Sequence, residues 1–390
     1  MEISSEIKKR AFTFVILIGV VSLFADMTYE SARSINGPFL AILGASGTVV
    51  GIVSGLGELI GYVVRFFSGF IGDRTKRYWS VAFVGYFINL VAVPLLALAG
   101  NWEVAAALMI TERIGKGIRV PVRDAMLSYA SENIKRGWAF GVHEALDQIG
   151  AVLGPLIVAF ALFHNLGYRV GYTFLLLPAL IALTVLLVSM KVFPSPRNLA
   201  SSQAKITVDN GYPKSFWIYM GAASLIAAGF VDFPLIAYHF KSASAVPQDW
   251  IPVYYSIAMG VDALAALAAG RLFDRIGIRT LALVSVLSAA AAPLVFLGHS
   301  ELIILGMVFW GISMGAQESI MRAAVADLVP IDKRGSGYGI FNTGFGIAWF
   351  IGSALMGVLY DVSILGLVLF SALIQLISIP LFLRSRKVAI

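Results

Sequence analysis

The chain contains no cysteine among its 390 residues, which excludes disulfides and thiolate metal sites. Charge is also scarce. Asp, Glu, Lys and Arg together make up 13%, where a soluble domain carries about a quarter. No Gly-x-x-x-x-Gly-Lys-Ser/Thr loop occurs, so nucleotide hydrolysis is not the energy source, and there is no His-Glu-x-x-His element. Nothing resembles a nucleophile elbow or a kinase loop. Enzymatic chemistry therefore has no residues to carry it, and no cofactor is expected. What the chain has in abundance is apolar surface: 59% hydrophobic residues, 12% aromatic, and a mean hydropathy of +0.86. Such a composition belongs in a lipid bilayer. The net charge of +7 is dispersed in short basic clusters between apolar runs. That is the pattern of loops facing anionic lipid, not of a nucleic-acid surface.

Runs long enough to cross a bilayer lie at 11–41, 47–71, 80–100, 102–126, 138–163, 168–190, 215–241, 250–273, 280–298, 301–325, 337–360 and 363–383. Segment 191–214 contains Pro194, Pro196, Asp209-Asn210-Gly211 and four basic residues, and reads as a polar linker. The expected fold is an all-α membrane protein of twelve transmembrane helices in two pseudo-symmetric six-helix bundles, residues 1–190 and 215–390, joined by the linker 191–214. Basic clusters at Lys8 to Arg10, Arg74 to Arg77, Lys135-Arg136, the linker, Arg275 and Arg279, Lys333-Arg334, and Arg384 to Lys387 all fall on one side for an even count. The other side shows little beyond Arg169 and Lys241. Both termini are accordingly expected in the cytoplasm, with the chain multi-pass in the inner or plasma membrane. The first run is too long for a signal-peptide core and reads as a retained span.

Two signatures recur about two hundred residues apart, the mark of a duplicated half. Gly69-Phe-Ile-Gly-Asp73-Arg74 returns as Gly270-Arg-Leu-Phe-Asp274-Arg275, and Lys135-Arg136-Gly137 with Gly141 returns as Lys333-Arg334-Gly335 with Gly339. Parallel repeats of membrane spans are one way in which secondary transporters are built. Gly69 and Gly270 are expected to admit a neighbouring helix closely. Asp73 and Asp274 are expected to cap a helix N-terminus or pair with a base such as Arg74, Arg77 or Arg275, forming a latch that breaks and reforms during transport.

Twelve spans, duplicated halves and Gly-x-x-x-Asp-Arg loops after spans two and eight resemble the major facilitator superfamily. In span four, Arg113-Ile-Gly-Lys-Gly117 resembles its Arg-x-x-x-Gly element. In span five, Gly150-Ala-Val-Leu-Gly154-Pro155 is similar to the Gly-x-x-x-Gly-Pro element of its antiporters, including those for drugs and other organic compounds. Two departures stand out. The first loop reads Thr75-Lys76-Arg77 where the family often has Gly-Arg-Lys, and Leu156-Ile157 follow where further glycines are usual. The resemblance implies alternating access by rocking of two halves around a central site.

Ionisable groups inside a span cost about 2.5–3.5 kcal/mol each on insertion scales, so they pair or serve a pathway. Span one carries Asp26, Glu30 and Arg33 on one face, span two carries Glu58 and Arg65, and span five carries His143, Glu144 and Asp147. Span four carries Glu112, Arg113, Lys116, Arg119, Arg123 and Asp124. Acids and bases nearly balance, so much of this set is expected to bind helices together. Arg113 stands apart as a coupling or substrate candidate, and Glu318 and Arg322 are expected to pair on span ten. Asp232 and Asp262 have no basic neighbour on their own helices. Asp26 and Asp232 are the leading candidates for a proton carrier or cation anchor. Nearby rings (Tyr29, Phe230, Tyr238, Trp310, Trp349) can hold a lipophilic cation. Asn342 is a candidate cavity contact, and His239 is expected near the outer interface.

The expected function is proton-coupled antiport exporting a small organic compound, an organic cation among the candidates. One alternative is a symporter or facilitator of an organic anion held by Arg33, Arg65 and Arg113. Another is a divalent metal-ion exporter using His143 and Asp147. The expected partners are a small-molecule substrate, protons and lipid, without nucleic acid, and a monomer suffices.

Overall fold

The computed structural model describes residues 5–131, 136–195, 212–329 and 334–387. The first half runs as α1 (Ser5–Ile42), α2 (Gly47–Thr75), α3 (Tyr78–Leu95), α4 (Trp102–Ser131), α5 (Arg136–Phe163), α6 (Gly167–Phe174) and α7 (Leu176–Val192). The second continues as α8 (Lys214–Gly229), α9 (Phe233–Ser242), α10 (Ile251–Ile276), α11 (Arg279–Leu297), α12 (Ser300–Leu328), α13 (Arg334–Val362) and α14 (Ile364–Lys387). No strand occurs among the described residues. The expected spans map onto these helices in order, with α6–α7 and α8–α9 each forming one interrupted crossing. Among the described residues, eleven segments are long and apolar enough to cross a membrane. The exception is α4, which has the length but carries the charges of span four.

The chain divides into two compact units: Met1–Arg33 with Ile60–Lys205, and Ser34–Leu59 with Ile206–Ile390. Residues 34–59, placed by sequence in the first half, thus pack with the second.

In the first unit an apolar core forms where α1, α3, α4 and α7 present their buried faces. Phe14, Ile18, Tyr86, Leu90, Met126 and Leu186 meet there. Trp79 caps this core. Its ring lies edge-on to Phe14 at 6.1 Å, and its Nε1 donates to Phe193 O at 2.8 Å. Arg169 is taken up by the end of span three, donating to Ala97 O (2.9 Å) and Ala99 O (2.8 Å). A guanidinium on carbonyls that a helix end leaves open serves as a cap.

The second unit is organised around a break in span seven. Helix α8 stops at Gly229, Phe230 turns extended, and α9 begins at Phe233 with Pro234 in its first turn. A break within a membrane leaves backbone groups without water, so side chains must satisfy them. They do. Gly229 O accepts from Ser371 Oγ (2.6 Å) and Gln375 Nε2 (3.0 Å), both on α14. Val231 O accepts from Trp310 Nε1 of α12 at 2.8 Å. Asp232 Oδ1 accepts from Phe233 N at 3.0 Å and caps α9. A small cavity beside the break is lined by Phe230, Val231, Ser288, Trp310, Ser371 and Gln375. Aromatic rings pack around it: Phe230 stacks on Trp310 at 5.4 Å, Trp349 lies 5.6 Å from Phe230, and Phe233 lies 4.3 Å from Tyr255. His239, expected at the interface, is buried instead, because its ring packs on Phe296 at 4.8 Å and its Nδ1 lies 3.2 Å from Tyr360 OH.

Gln375→Leu should cost about 0.5–1.5 kcal/mol, since Gly229 O then keeps only Ser371 Oγ as a side-chain donor. Thermal unfolding in detergent checks this. A loss no larger than that of lipid-facing Leu376→Ala would refute the role of Gln375 at the break.

Candidate functional site

The first unit gathers onto three helices the charge that a bilayer excludes. Asp26, Glu30 and Arg33 of α1 share one helical face and are all buried. Helix α4 offers Lys116, Arg119 and Arg123 at three- and four-residue steps, a matching stripe. The two rows meet in register. Glu30 Oε1 lies 3.7 Å from Lys116 Nζ, and Asp26 Oδ1 lies 3.6 Å from Arg119 Nη2. One turn further, Arg123 Nη1 lies 3.7 Å from Asp147 Oδ2 of α5 and donates to Ser22 Oγ of α1 at 3.3 Å. Arg33 Nη1 closes the upper end at 4.0 Å from Glu30 Oε2. The result is a ladder of ion pairs. Asp26, a candidate proton carrier or cation anchor from the sequence, is one of its rungs.

Aromatic rings hold the cations from the side. Lys116 Nζ sits 3.9 Å from the Tyr29 ring centroid. The Arg119 guanidinium lies 5.4 Å from Tyr29 and 4.6 Å from Tyr86 of α3. Arg119 is 1% exposed, and its Nε and Nη1 make no hydrogen bond among the described residues. Ring faces stand where acceptors would.

Helix α5 reaches the ladder through the span-five glycines. A Cβ on Gly150 would strike Leu23 O, and one on Gly154 would strike Met27 O and lie 2.6 Å from Ser31 Oγ. Gly-x-x-x-Gly therefore seats α5 on α1, on the turns that carry Asp26 and Glu30, and brings Asp147 in. Pro155 lies buried inside α5, which continues past it. His143 Nδ1 is 3.5 Å from Asp147 Oδ2, and its Nε2 is 2.9 Å from Ser22 Oγ.

Other candidates lie apart from these rungs. Arg113 Nε pairs at 3.4 Å with its neighbour Glu112. Arg65 on α2 rests over the Tyr62 ring at 5.0 Å. Glu58 is half-buried on the part of α2 that belongs to the second unit, Asn342 is half-buried on α13, and Glu144 is exposed on α5. Asp232 is the α9 cap already described.

Among the loop-motif residues, Arg74, Arg77, Asp274 and Arg275 are exposed. Asp274 stands in the last turn of α10, not at an N-terminus, and has no ion pair among the described residues. The close helix approach expected at Gly69 and Gly270 is not found there. A Cβ on Gly270 would meet nothing within 4 Å, and one on Gly69 would make an ordinary 3.5 Å contact with Pro121. Tight approach occurs one turn along, at Gly72, where a Cβ would lie 2.6 Å from Val122 Cγ1. The side chains of Asp73 and Arg322, and therefore the expected Asp73 latch and Glu318–Arg322 pair, lie outside the described residues, as do Lys135 and Lys333.

Sequence reasoning missed Asn89 and Tyr86 of α3. Asn89 Nδ2 donates to Glu112 Oε1 at 2.7 Å and to Glu112 O at 3.2 Å. A lone amide in an otherwise apolar span was the available signal. One ligand atom from each of His143, Glu144 and Asp147 lies within 4.8 Å of the others. The Arg123 guanidinium on Asp147 places a positive charge where a metal ion would need none.

The profile described as Major Facilitator Superfamily matches residues 15–239 and again 215–389. The chain is 41% identical over 385 residues to an uncharacterized protein of Mycobacterium tuberculosis, covering 96% of this chain and 93% of that one. It is 26% identical over 361 residues to an uncharacterized MFS-type transporter of Methanocaldococcus jannaschii, covering 90% and 89%. A crystal structure of a mutant of the nucleoside transporter NupG superposes with a TM-score of 0.76 at 14% identity, over 96% of this chain and 99% of that one. At that identity the likeness concerns the fold.

Removing one partner of a buried pair strands the other charge. Arg119→Met should therefore cost about 3–5 kcal/mol, and replacing both residues, as Asp26→Leu with Arg119→Met, should recover most of it. Equilibrium unfolding of the four-variant cycle measures this. Strictly additive losses would refute the coupling.

Proposed function

The chain belongs to the Major Facilitator Superfamily and is a multi-pass membrane transporter of that type; we propose that it works by alternating access as a proton-coupled antiporter exporting a small organic compound. The observation that carries this reading is the pairing of Asp26 with Arg119 and of Glu30 with Lys116 across α1 and α4. In a low-dielectric interior, a proton on either carboxylate removes its charge and leaves a buried cation uncompensated. The helices must then re-pair or shift, so proton binding and conformation are linked through one free energy. Substrate binding need only favour the arrangement that the proton disfavours. The aromatic group at the span-seven break offers a face for a planar or apolar part of the substrate. A cell-membrane location with both termini cytoplasmic follows from the basic clusters, and nothing in the mechanism requires more than a monomer or any cofactor.

A second reading has its own support. The ladder gathers four cations (Arg33, Lys116, Arg119, Arg123), of which Arg123 is shared between Asp147 and the half-exposed Asp124. Basic groups gathered in this way suit an organic anion carried by symport or facilitated passage. Export of a divalent metal through His143 and Asp147 is the least supported, because Arg123 lies against Asp147.

Purified protein in weakly buffered detergent, titrated with a panel of organic cations, neutral compounds and anions, separates these readings. Antiport predicts proton release on adding a substrate, and its loss in Glu30→Gln. Proton uptake on adding an anion would overturn export and establish symport.

A further inference from the structure

The start of α2 is held by a carboxylate from far along the chain. Asp361, near the end of α13, accepts from Gly47 N (2.9 Å) through Oδ1, and from Thr48 N (2.7 Å) and Thr48 Oγ1 (2.6 Å) through Oδ2. Both oxygens are used on the open N–H groups of one helix N-terminus, where the helix dipole also favours negative charge. Below this cap the two helices touch through backbone. A Cβ on Gly51 would strike Ser353 O and lie 2.8 Å from Gly357 Cα, and one on Gly357 would lie 2.6 Å from Gly47 O. At the same level Tyr238 OH of α9 donates to Ala45 O at 3.0 Å.

Residues 34–59 come from the first sequence repeat, whereas α9 and α13 come from the second. All of them nevertheless lie in the second compact unit. By the order of the spans, this seam is on the side of the membrane opposite the termini. Small residues (Gly51, Ser353, Gly357) meet along it, Tyr360 covers Gly47, and one carboxylate makes three hydrogen bonds at its end. Where glycine and serine meet, little apolar side-chain surface is buried, so the polar groups at the end carry much of the closure.

We propose that Asp361 is the latch of this seam, holding closed the side of the membrane opposite the termini and releasing when that side opens during transport. The proposal rests on alternating access but on neither the coupling ion nor the substrate. The N-terminus of α2 is thus capped by an acid that belongs to α13, from the other sequence repeat.

The absence of native cysteine makes the test direct. Ser353, 2% exposed within the seam, is changed to cysteine, and its reaction with a polar maleimide is timed in nanodiscs with Asp361 intact, as Asp361→Asn, or as Asp361→Ala. Ser285→Cys on α11, also buried, serves as the reference. Loss of charge-assisted hydrogen bonds should speed labelling at position 353 roughly tenfold or more and leave position 285 unchanged. Unchanged labelling at 353, or an equal rise at both positions, would overturn the proposal. The second outcome would make Asp361 a general stabiliser of the unit. Because the readout needs no substrate, a failed proton-release assay would leave this result standing, and the converse also holds.

Discussion

Within a bilayer, a charge or an open backbone group has no water to turn to, and nearly every distinctive feature of this chain follows from that constraint. Helix α4 is the sharpest case. Its six ionisable residues from Glu112 to Asp124 would be untenable facing lipid, yet the helix crosses because α1, α3 and α5 supply partners for four of them, while Arg113 and Asp124 pair within α4. Asp26 and Glu30 face its bases, Asn89 faces Glu112, and Asp147 faces Arg123. The same constraint fixes the packing. The glycines of α5 are needed because Asp147 can reach Arg123 only if α5 lies almost backbone to backbone with α1.

Backbone obeys the rule as strictly as side chains. Span seven is interrupted in the interior of the second unit, and three of the groups at the interruption, Gly229 O, Val231 O and Phe233 N, are met by side chains of Ser371, Gln375, Trp310 and Asp232. Breaking the helix here places a C-terminal end, an N-terminal end and a set of aromatic rings around one small cavity. An uninterrupted helix would have offered only side chains.

The spans were legible because hydrophobic length and the scatter of basic clusters survive any detail of packing. The repeat was legible because Asp-Arg and Lys-Arg-Gly recur in register. Pairing was not. Helical periodicity places Asp26, Glu30 and Arg33 on one face but cannot say which helix lies opposite, so the pairing of Asp26 with Arg119 could not be read from the sequence. Asp232 failed differently. Asp-Phe-Pro is a sequence in which the acid suits a cap and the proline a first turn, so the break could have been read locally. It was masked by the apolar run that continues through it. The latch motif drew attention to Asp73 and Asp274, whereas the cap that the structure resolves uses Asp361, whose partners lie more than three hundred residues away in the chain. No spacing rule reaches that far.

Duplication made two bundles of one plan, and the constraint has since been met differently in each. The first unit meets it with charge against charge, an arrangement that responds to protons because neutralising one member upsets its partner. The second meets it at its break mainly with neutral donors on carbonyls and rings on rings, with Asp232 as a helix cap. Under the proposed proton coupling, such a separation is an advantage. If substrate were held by the same carboxylates that carry the proton, every change of substrate would alter the proton affinity directly. With the ion-pair ladder in one unit and the neutral donors and rings of the break in the other, the proposed recognition surface can vary by mutation while the ladder keeps its balance of charge. That balance is the more restrictive of the two, because losing one rung strands an ion, whereas losing one ring leaves only a gap.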